Sequence, residues 1–412
     1  MNKQIIWSWL VVLIFGTVSF ASELSISSVE DAIQIGLQSN PEFQAQLNML
    51  RSKEMLPKKL GSLSDPNIGV RLNGTPAKNS DYLFDQKRYF VNQSFPYLGE
   101  LGRKKRLGEK EIDLAKIDLE LTRKHVSLMI QKVYFGLILN QELTEITKKN
   151  NQILENIINI ADIKYQSGKT LQANVLKAKV SKGKLEEQLL QLSHQKVQST
   201  EELKKWLGIS VNDSLNLTLQ YPEKEAAAIT TINQEVVAET LMVQKAQAMK
   251  DKADQMVSVE KDRYLPNFMA QVEYWDNAGM DNQYGGQISM SIPWFNGKND
   301  ASVKAAEALS SSKDQLRKNS INAISQRLTT MLSDLKTTQA KIQLYETDIL
   351  KNAELSLSSF QKAFEVDKAS FLDYFESEKT LYALEMQHAK LVNKKHVLHA
   401  QINAFFAKGE EK

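Results

Sequence analysis

The chain has 412 residues, 42% apolar and 25% charged, a composition that supports a buried core and excludes a disordered polypeptide. Its net charge of +3 mixes Lys and Arg evenly with Asp and Glu, which sets aside nucleic acid as a partner. With no Cys there is no disulfide staple, no thiolate metal site and no cysteine to carry a lipid anchor.

Lys3, the apolar stretch from Ile5 to Phe20 and the ending Ser19-Phe20-Ala21 read as a signal peptide over residues 1–21, cleaved after Ala21. As a retained anchor the stretch falls short of the roughly 20 apolar residues that a spanning helix needs. A first repeat is expected over 22–207. It opens with helical spacing from Val29 to Leu60, broken at Asn40-Pro41. Pro66 ends that pattern, because proline lacks an amide donor and restricts the residue before it. The spacing then turns to period two. Ile68, Val70 and Leu72 share one strand face and Gly69, Arg71 and Asn73 the other. After a polar loop, Tyr89, Val91 and Phe95 oppose Arg88, Asn92 and Ser94, with Phe90 on the polar side. The strand pair is expected over about 67–95.

From Gly99 to Tyr165 the pattern is helical again, a rod of roughly 100 Å at 1.5 Å per residue. No Pro interrupts the chain between Tyr97 and Tyr221. Leu139, Leu143, Ile146, Ile153, Ile157 and Ile160 step by threes, fours and sevens, the seam of a coiled coil. A reversal is expected at Gly168, followed by a return helix from Ala173 to Leu207. Residues 208–233 form a mixed linker containing the alternating run Leu215 to Leu219.

A second repeat, 234–406, follows the same plan, with a tail at 407–412. Helical spacing from Gln234 to Arg263 ends at Pro266. Phe268, Ala270, Val272 and Tyr274 oppose Met269, Gln271 and Glu273, and Ile288, Met290 and Ile292 oppose Gln287, Ser289 and Ser291, for a strand pair at about 267–292. A helix from Gly297 to Phe364, a turn at Asp367 and a return helix from Leu372 to Phe406 complete it. Three landmarks recur in order: Leu63-Ser64-Asp65-Pro66-Asn67 with Tyr264-Leu265-Pro266-Asn267, Phe95-Pro96 with Ile292-Pro293, and Tyr165 to Lys169 with Phe364 to Lys368. An ordered recurrence at one offset of about 200 residues is the mark of a tandem duplication.

Four strands with one apolar and one polar face cannot stand alone in a bilayer, since their edges would expose unpaired backbone groups to hydrocarbon. Copies must then join. Eight strands would leave an interior filled by side chains, whereas twelve strands from three chains leave a passage. The competing reading has two soluble hairpins packed on a helical bundle. Tyr89, Tyr274, Trp275 and Phe95 flank the apolar faces as candidates for aromatic girdles.

With Asn40-Pro41-Glu42, the Pro-ended strand entries, Phe95-Pro96, Ile292-Pro293 and the paired turns, nearly the whole mature chain resembles the outer-membrane efflux protein family typified by TolC. The resemblance implies a mainly α chain whose trimer builds a twelve-stranded outer-membrane β-barrel and a periplasmic tunnel of antiparallel coiled-coil helices. It implies a passive conduit docked to a periplasmic adaptor and an inner-membrane transporter, anchored in outer membrane lipid. By the same resemblance Tyr165, Gly168, Lys169, Phe364, Asp367 and Lys368 form tip turns for adaptor docking. Asp367 stands where the family usually has Gly, and Asn174 where it usually has Asp.

Asp373 and Glu376, three apart on one helix face, are candidates for lining the narrowest aperture, and pairing with Lys368 and Lys379 is the alternative. Arg103, Lys104, Lys105 and Arg106 suit lipid phosphates at the membrane interface, or a solvated helix face. His396 and His399 lack a third ligand for a metal, no cofactor is expected, and no nucleophile or phosphate loop points to an enzyme. Within the family, a type I protein secretion channel is the nearest alternative. A secreted coiled-coil scaffold without a pore is the alternative of a different class.

Overall fold

Asn40 breaks the first helical stretch by capping the helix that follows it. Its Oδ1 accepts from the amides of Glu42 (2.9 Å) and Phe43 (3.2 Å), and Pro41 takes the first helical position, where a missing donor costs nothing. The result is two short helices, α1 (Val29–Ser39) and α2 (Pro41–Glu54), followed by α3 (Leu56–Leu60). The computed structural model describes residues 24–74, 86–222, 232–277, 280–293 and 297–407. The expected signal peptide and most of the expected tail lie outside the described residues, as do parts of the expected linker and of the loops between strands.

A short strand, β1 (Leu24–Ile26), pairs in parallel with β4 (Leu215–Leu217) of the linker region. Around them lies a core with Ile26, Val29, Phe43, Ile130, Tyr134 and Leu203. The four longer strands are β2 (Asn67–Asn73), β3 (Gln86–Phe95), β5 (Asn267–Asn277) and β6 (Gln283–Ser291). They form one antiparallel sheet in the order β2-β3-β5-β6, so β3 and β5 join the two halves of the chain. β2 and β6 are left as edges.

The first rod is α4 (Glu100–Gln166), 67 residues without interruption, and its return is α5 (Gln172–Leu207). Of the seam residues, Leu143 and Ile157 are buried, while Leu139, Ile146, Ile153 and Ile160 pack partly buried against the same clusters. The short helix α6 (Gln234–Ala238) and α7 (Leu241–Lys261) precede β5. The expected continuous helix after Gly297 is instead interrupted. It consists of α8 (Lys298–Leu344), a π-helical turn at Tyr345–Ile349 and α9 (Leu350–Glu365), returning in α10 (Phe371–Asn403).

The interruption has a cause in residue count. Gly297 follows Gly99, the two left-handed residues that start the rods, by 198 positions, whereas Asp367 follows Gly168, the left-handed residues at their ends, by 199. The second rod carries one more residue, and a π turn is how a helix absorbs an insertion while keeping its face. Among the described residues no helix is long and apolar enough to cross a membrane.

Candidate functional site

Two parts of the chain carry features that a simple helical bundle does not need: the sheet and the far ends of the rods. In the sheet the apolar residues point away from the rest of the chain. Ile68 is 80% exposed and Ile288 84%, and Val70, Val91, Val272 and Met290 are exposed with them. The register gathers them on one face, with Ile68, Val91 and Val272 in one row and Val70, Tyr89, Tyr274 and Tyr284 in the next. The tyrosine rings of that row stand 6.2 Å and 5.3 Å apart in succession. A second aromatic row, Phe95 beside Phe268, lies nearer the helices. Trp275, expected among the girdle residues, belongs to the other face. The period-two alternation already places it with Glu273, and its ring lies 4.6 Å under the Arg88 guanidinium.

That polar face is the more covered of the two. Phe90, which broke the sequence alternation, lies across the strand over Gly69: a Cβ at Gly69 would come within 2.5 Å of the ring. The glycine makes room for an aromatic side chain laid flat along the sheet. Asn67, Asn92, Gln271 and Gln287 occupy the next row towards the helices. An apolar face in the open and a polar face folded over itself reverse the burial of a water-soluble sheet.

At the far ends, both reversals use the same backbone chemistry. Gly168 (φ 74°) and Asp367 (φ 62°) sit in the left-handed region, and Asp367 is the sole non-glycine there among the described residues. Lys169 N donates to Lys164 O (2.8 Å) and Gly168 N to Tyr165 O (2.9 Å). Lys368 N donates to Ala363 O (2.7 Å) and Asp367 N to Phe364 O (3.2 Å). Both are the six-to-one and five-to-two pattern that closes a helix around a left-handed residue. The carboxylate of Asp367 then reaches across to the other turn and accepts from Lys164 and, at 2.5 Å, from Lys169. These two ammonium groups hold the Asp367 carboxyl down at about 2. Lys164 escaped the sequence reading, because its partner is 203 positions away; the signal lay in the one departure from glycine at Asp367.

The other tip residues divide by exposure. Tyr165, Gly168, Lys169 and Lys368 lie on the surface. Phe364 is 4% exposed and packs against Phe371 and Tyr374 in the tip core, so its ring supports the turn from within rather than displaying a docking surface. Asp373 closes a capping box at the start of α10, where its Oδ2 accepts from Ser370 N (3.2 Å) and Ser370 Oγ (2.7 Å). Glu376 sits 3.3 Å from Lys379 and 3.8 Å from Lys177 on α5. Asn174 bonds Thr170 Oγ1 (2.9 Å), and α5 starts without a side-chain cap.

The basic cluster is divided too. Arg103 Nε meets the buried Asp262 at 2.6 Å, and Lys104 pairs with Glu100 at 2.5 Å, while Lys105 and Arg106 are exposed. Buried polar groups that the sequence reading missed cluster along α4 and α10. Glu378 is 2% exposed with one carboxylate oxygen unbonded, and burial pushes its carboxyl up to about 7. Asn150, Thr147 and Tyr382 surround that stretch, with Thr147 and Tyr382 hydroxyls 3.1 Å apart. Further along α10, His396 stacks on Tyr221 at 4.2 Å. Among the described residues no three His, Asp or Glu side chains converge as a metal set.

Comparison with known proteins places this geometry. Residues 232–404 match the family of outer membrane efflux proteins. The channel CusC shares the fold with a TM-score of 0.81 at 12% identity, over 92% of each chain. The CmeC outer membrane channel of Campylobacter jejuni gives a TM-score of 0.77 at 14% identity, over 93% of this chain and 87% of that one. The outer membrane protein VceC of Vibrio cholerae gives 0.74 at 16%, over 93% and 97%. No curated protein sequence matches. The matched segment takes in α7, β5, β6 and the whole second rod pair, and the fold shared with CusC covers 92% of the chain. Residues 232–404 thus resemble the outer membrane efflux protein family, and over 92–93% of its length the chain has the fold of the CusC channel and of the outer membrane protein VceC.

Proposed function

We propose that the chain is one of three identical protomers of an outer-membrane efflux channel, which conducts solutes passively from a periplasmic adaptor and inner-membrane transporter to the exterior. The observation that carries this reading is the sheet: four antiparallel strands with two open edges and an exposed apolar face. Such a sheet satisfies its backbone in hydrocarbon only by closing with copies of itself, and three copies give twelve strands around a passage. In this reading the chain consists of two repeats, 22–207 and 234–406, bridged by the equatorial linker.

The tips at Tyr165–Lys169 and Phe364–Lys368 then meet the adaptor. Asp373 and Glu376 face the aperture from the first turns of α10. Arg103 to Arg106, just beyond β3, lie at the periplasmic face of the membrane, where the exposed Lys105 and Arg106 meet lipid phosphates.

The test is fractionation of cells expressing the full chain, followed by electrophoresis of unheated and heated samples. A band at three times the chain mass in the outer-membrane fraction, collapsing to the monomer on boiling, is the expected result. A monomer soluble without detergent would overturn the reading in favour of a scaffold.

A further inference from the structure

The polar face of the sheet is not electrically neutral. On β2, β3, β5 and β6 its charged side chains, among the described residues, are Arg71, Arg88 and Glu273. Arg71 and Arg88 stand directly opposite each other in the strand register, with Trp275 next in the same row. Like charges facing each other across strands are destabilising unless something draws them apart. Here aromatic rings do so: the Arg88 guanidinium lies 4.6 Å from the Trp275 centroid, and that of Arg71 lies 6.0 Å from the Phe90 centroid.

Among the described residues Glu273 approaches Arg88 only to 3.9 Å, and no carboxylate pairs with Arg71. In addition Arg88 Nε and Trp275 Nε1 are covered by neighbouring atoms yet bond to no acceptor among the described residues. Two cationic planes and two unanswered N–H donors on one level make a row that lacks an anion. This row lies in the half of the sheet away from the helices, beyond the neutral Asn and Gln row.

We propose that Arg71 and Arg88 form an anion-attracting belt in the outer part of the channel lumen, which concentrates anionic solutes at the mouth. The inference rests on the trimeric channel reading, in which the polar face lines the passage. Among the described residues each protomer then brings two guanidinium groups to the belt against one carboxylate, and low-dielectric walls focus their field across the opening. Phe90 and Glu273 lie along the wall over Gly69 and beside Gly285, so the row below the belt leaves the passage open. The far end of the conduit carries carboxylates at Asp373 and Glu376, so its two ends prefer opposite charges.

The experiment uses the full chain in planar bilayers, added to one chamber. A polar rod of roughly 100 Å cannot cross hydrocarbon, so the mouth opens to the opposite chamber. Inorganic tripolyphosphate added there is expected to reduce the current, and to do so far less from the side of the tips. Arg71→Gln and Arg88→Gln should each raise the half-blocking concentration by about fivefold and the pair by more than about tenfold, the latter equivalent to 1.4 kcal/mol. Arg88→Lys, which keeps the charge, should keep the block.

Equal half-blocking concentrations in wild type and the glutamine variants would overturn the belt while leaving the channel intact. If a variant fails to assemble, the sidedness of the wild-type block decides, and a block from the tip side alone overturns the proposal. A trimer without any conductance overturns the channel reading, and the belt falls with it.

Discussion

Lys164 and Asp367 form an ion pair that ties the first tip turn to the second, between residues 203 positions apart. Lys164 is 9% exposed and its ammonium lies 4.8 Å over the Phe364 ring, so the cation is held in a largely apolar place by one carboxylate and one aromatic face. Lys169 takes the other carboxylate oxygen.

Removing that carboxylate leaves a covered ammonium without its partner, which is the costly half of breaking such a pair. Asp367→Asn keeps a residue that tolerates the left-handed backbone, and Asp367→Gly relieves it altogether. Both variants should speed amide exchange in residues 163–171 and 363–371 while leaving the equator unchanged. The carboxyl is lowered in the folded chain to about 2 from an ordinary 3.8, so the tie is fully present above about pH 4 and lost as pH falls through 2. Exchange in the tips of the wild type should therefore rise selectively below pH 4. Equal exchange in wild type and both variants would remove the tie as a structural element.

Glu378 has the opposite sign. Its carboxyl is raised to about 7 in the folded chain from an ordinary 4.5, because burial penalises the charge more than the Asn150 bond and the nearby Lys379 offset it, and Glu376 adds repulsion. Across on α5, Lys177 is engaged with Glu376. Stability from the retained proton is complete below about pH 4.5 and is lost as pH rises through 7. Glu378→Gln removes this dependence. Thermal unfolding in detergent at pH 8 should show the variant more stable by about 2 kcal/mol, with the difference vanishing below pH 5. A constant difference at both pH values would mean that the carboxyl is ionised in its buried place.

Gly69 and Phe90 should behave as a coupled pair. Gly69→Val pushes a side chain into the ring above it and should cost about 1–3 kcal/mol as an overpacked contact. The measured quantity is the heat-resistant trimer recovered from membranes. Phe90→Ala in the same chain should restore it, a non-additive rescue expected of residues in contact. Trimer yields that simply multiply would show that the ring does not occupy the space above Gly69.

Among the tip carboxylates, Glu376 gives the cleaner test of aperture lining. Asp373→Asn also weakens the capping box on α10, at a cost of about 1 kcal/mol, so its effect on current mixes structure with charge. Glu376→Gln loses only contacts of 3.3 Å and 3.8 Å to Lys379 and Lys177 and should lower cation preference with little change in melting temperature. Unaltered reversal potentials would place Glu376 away from the ion path.

Residue order alone determined most elements of this chain. Pro66 and Pro266 stop helices, period two marks the strands, proline-free stretches permit the rods, and Gly168 and Asp367 permit the reversals. These rules act over a few residues, so neighbours in sequence suffice to read them. The seat of Phe90, the place where the second rod absorbs its extra residue, and Lys164 needed the tertiary structure. The ring of Phe90 finds its place only over Gly69 on the adjacent strand, the extra residue is absorbed as a π turn at Tyr345–Ile349, and Lys164 becomes a buried cation only when Asp367 arrives from the other half. Strand register and long-range ion pairs depend on which surfaces meet. That meeting is decided by the packing of whole elements, which no local spacing encodes.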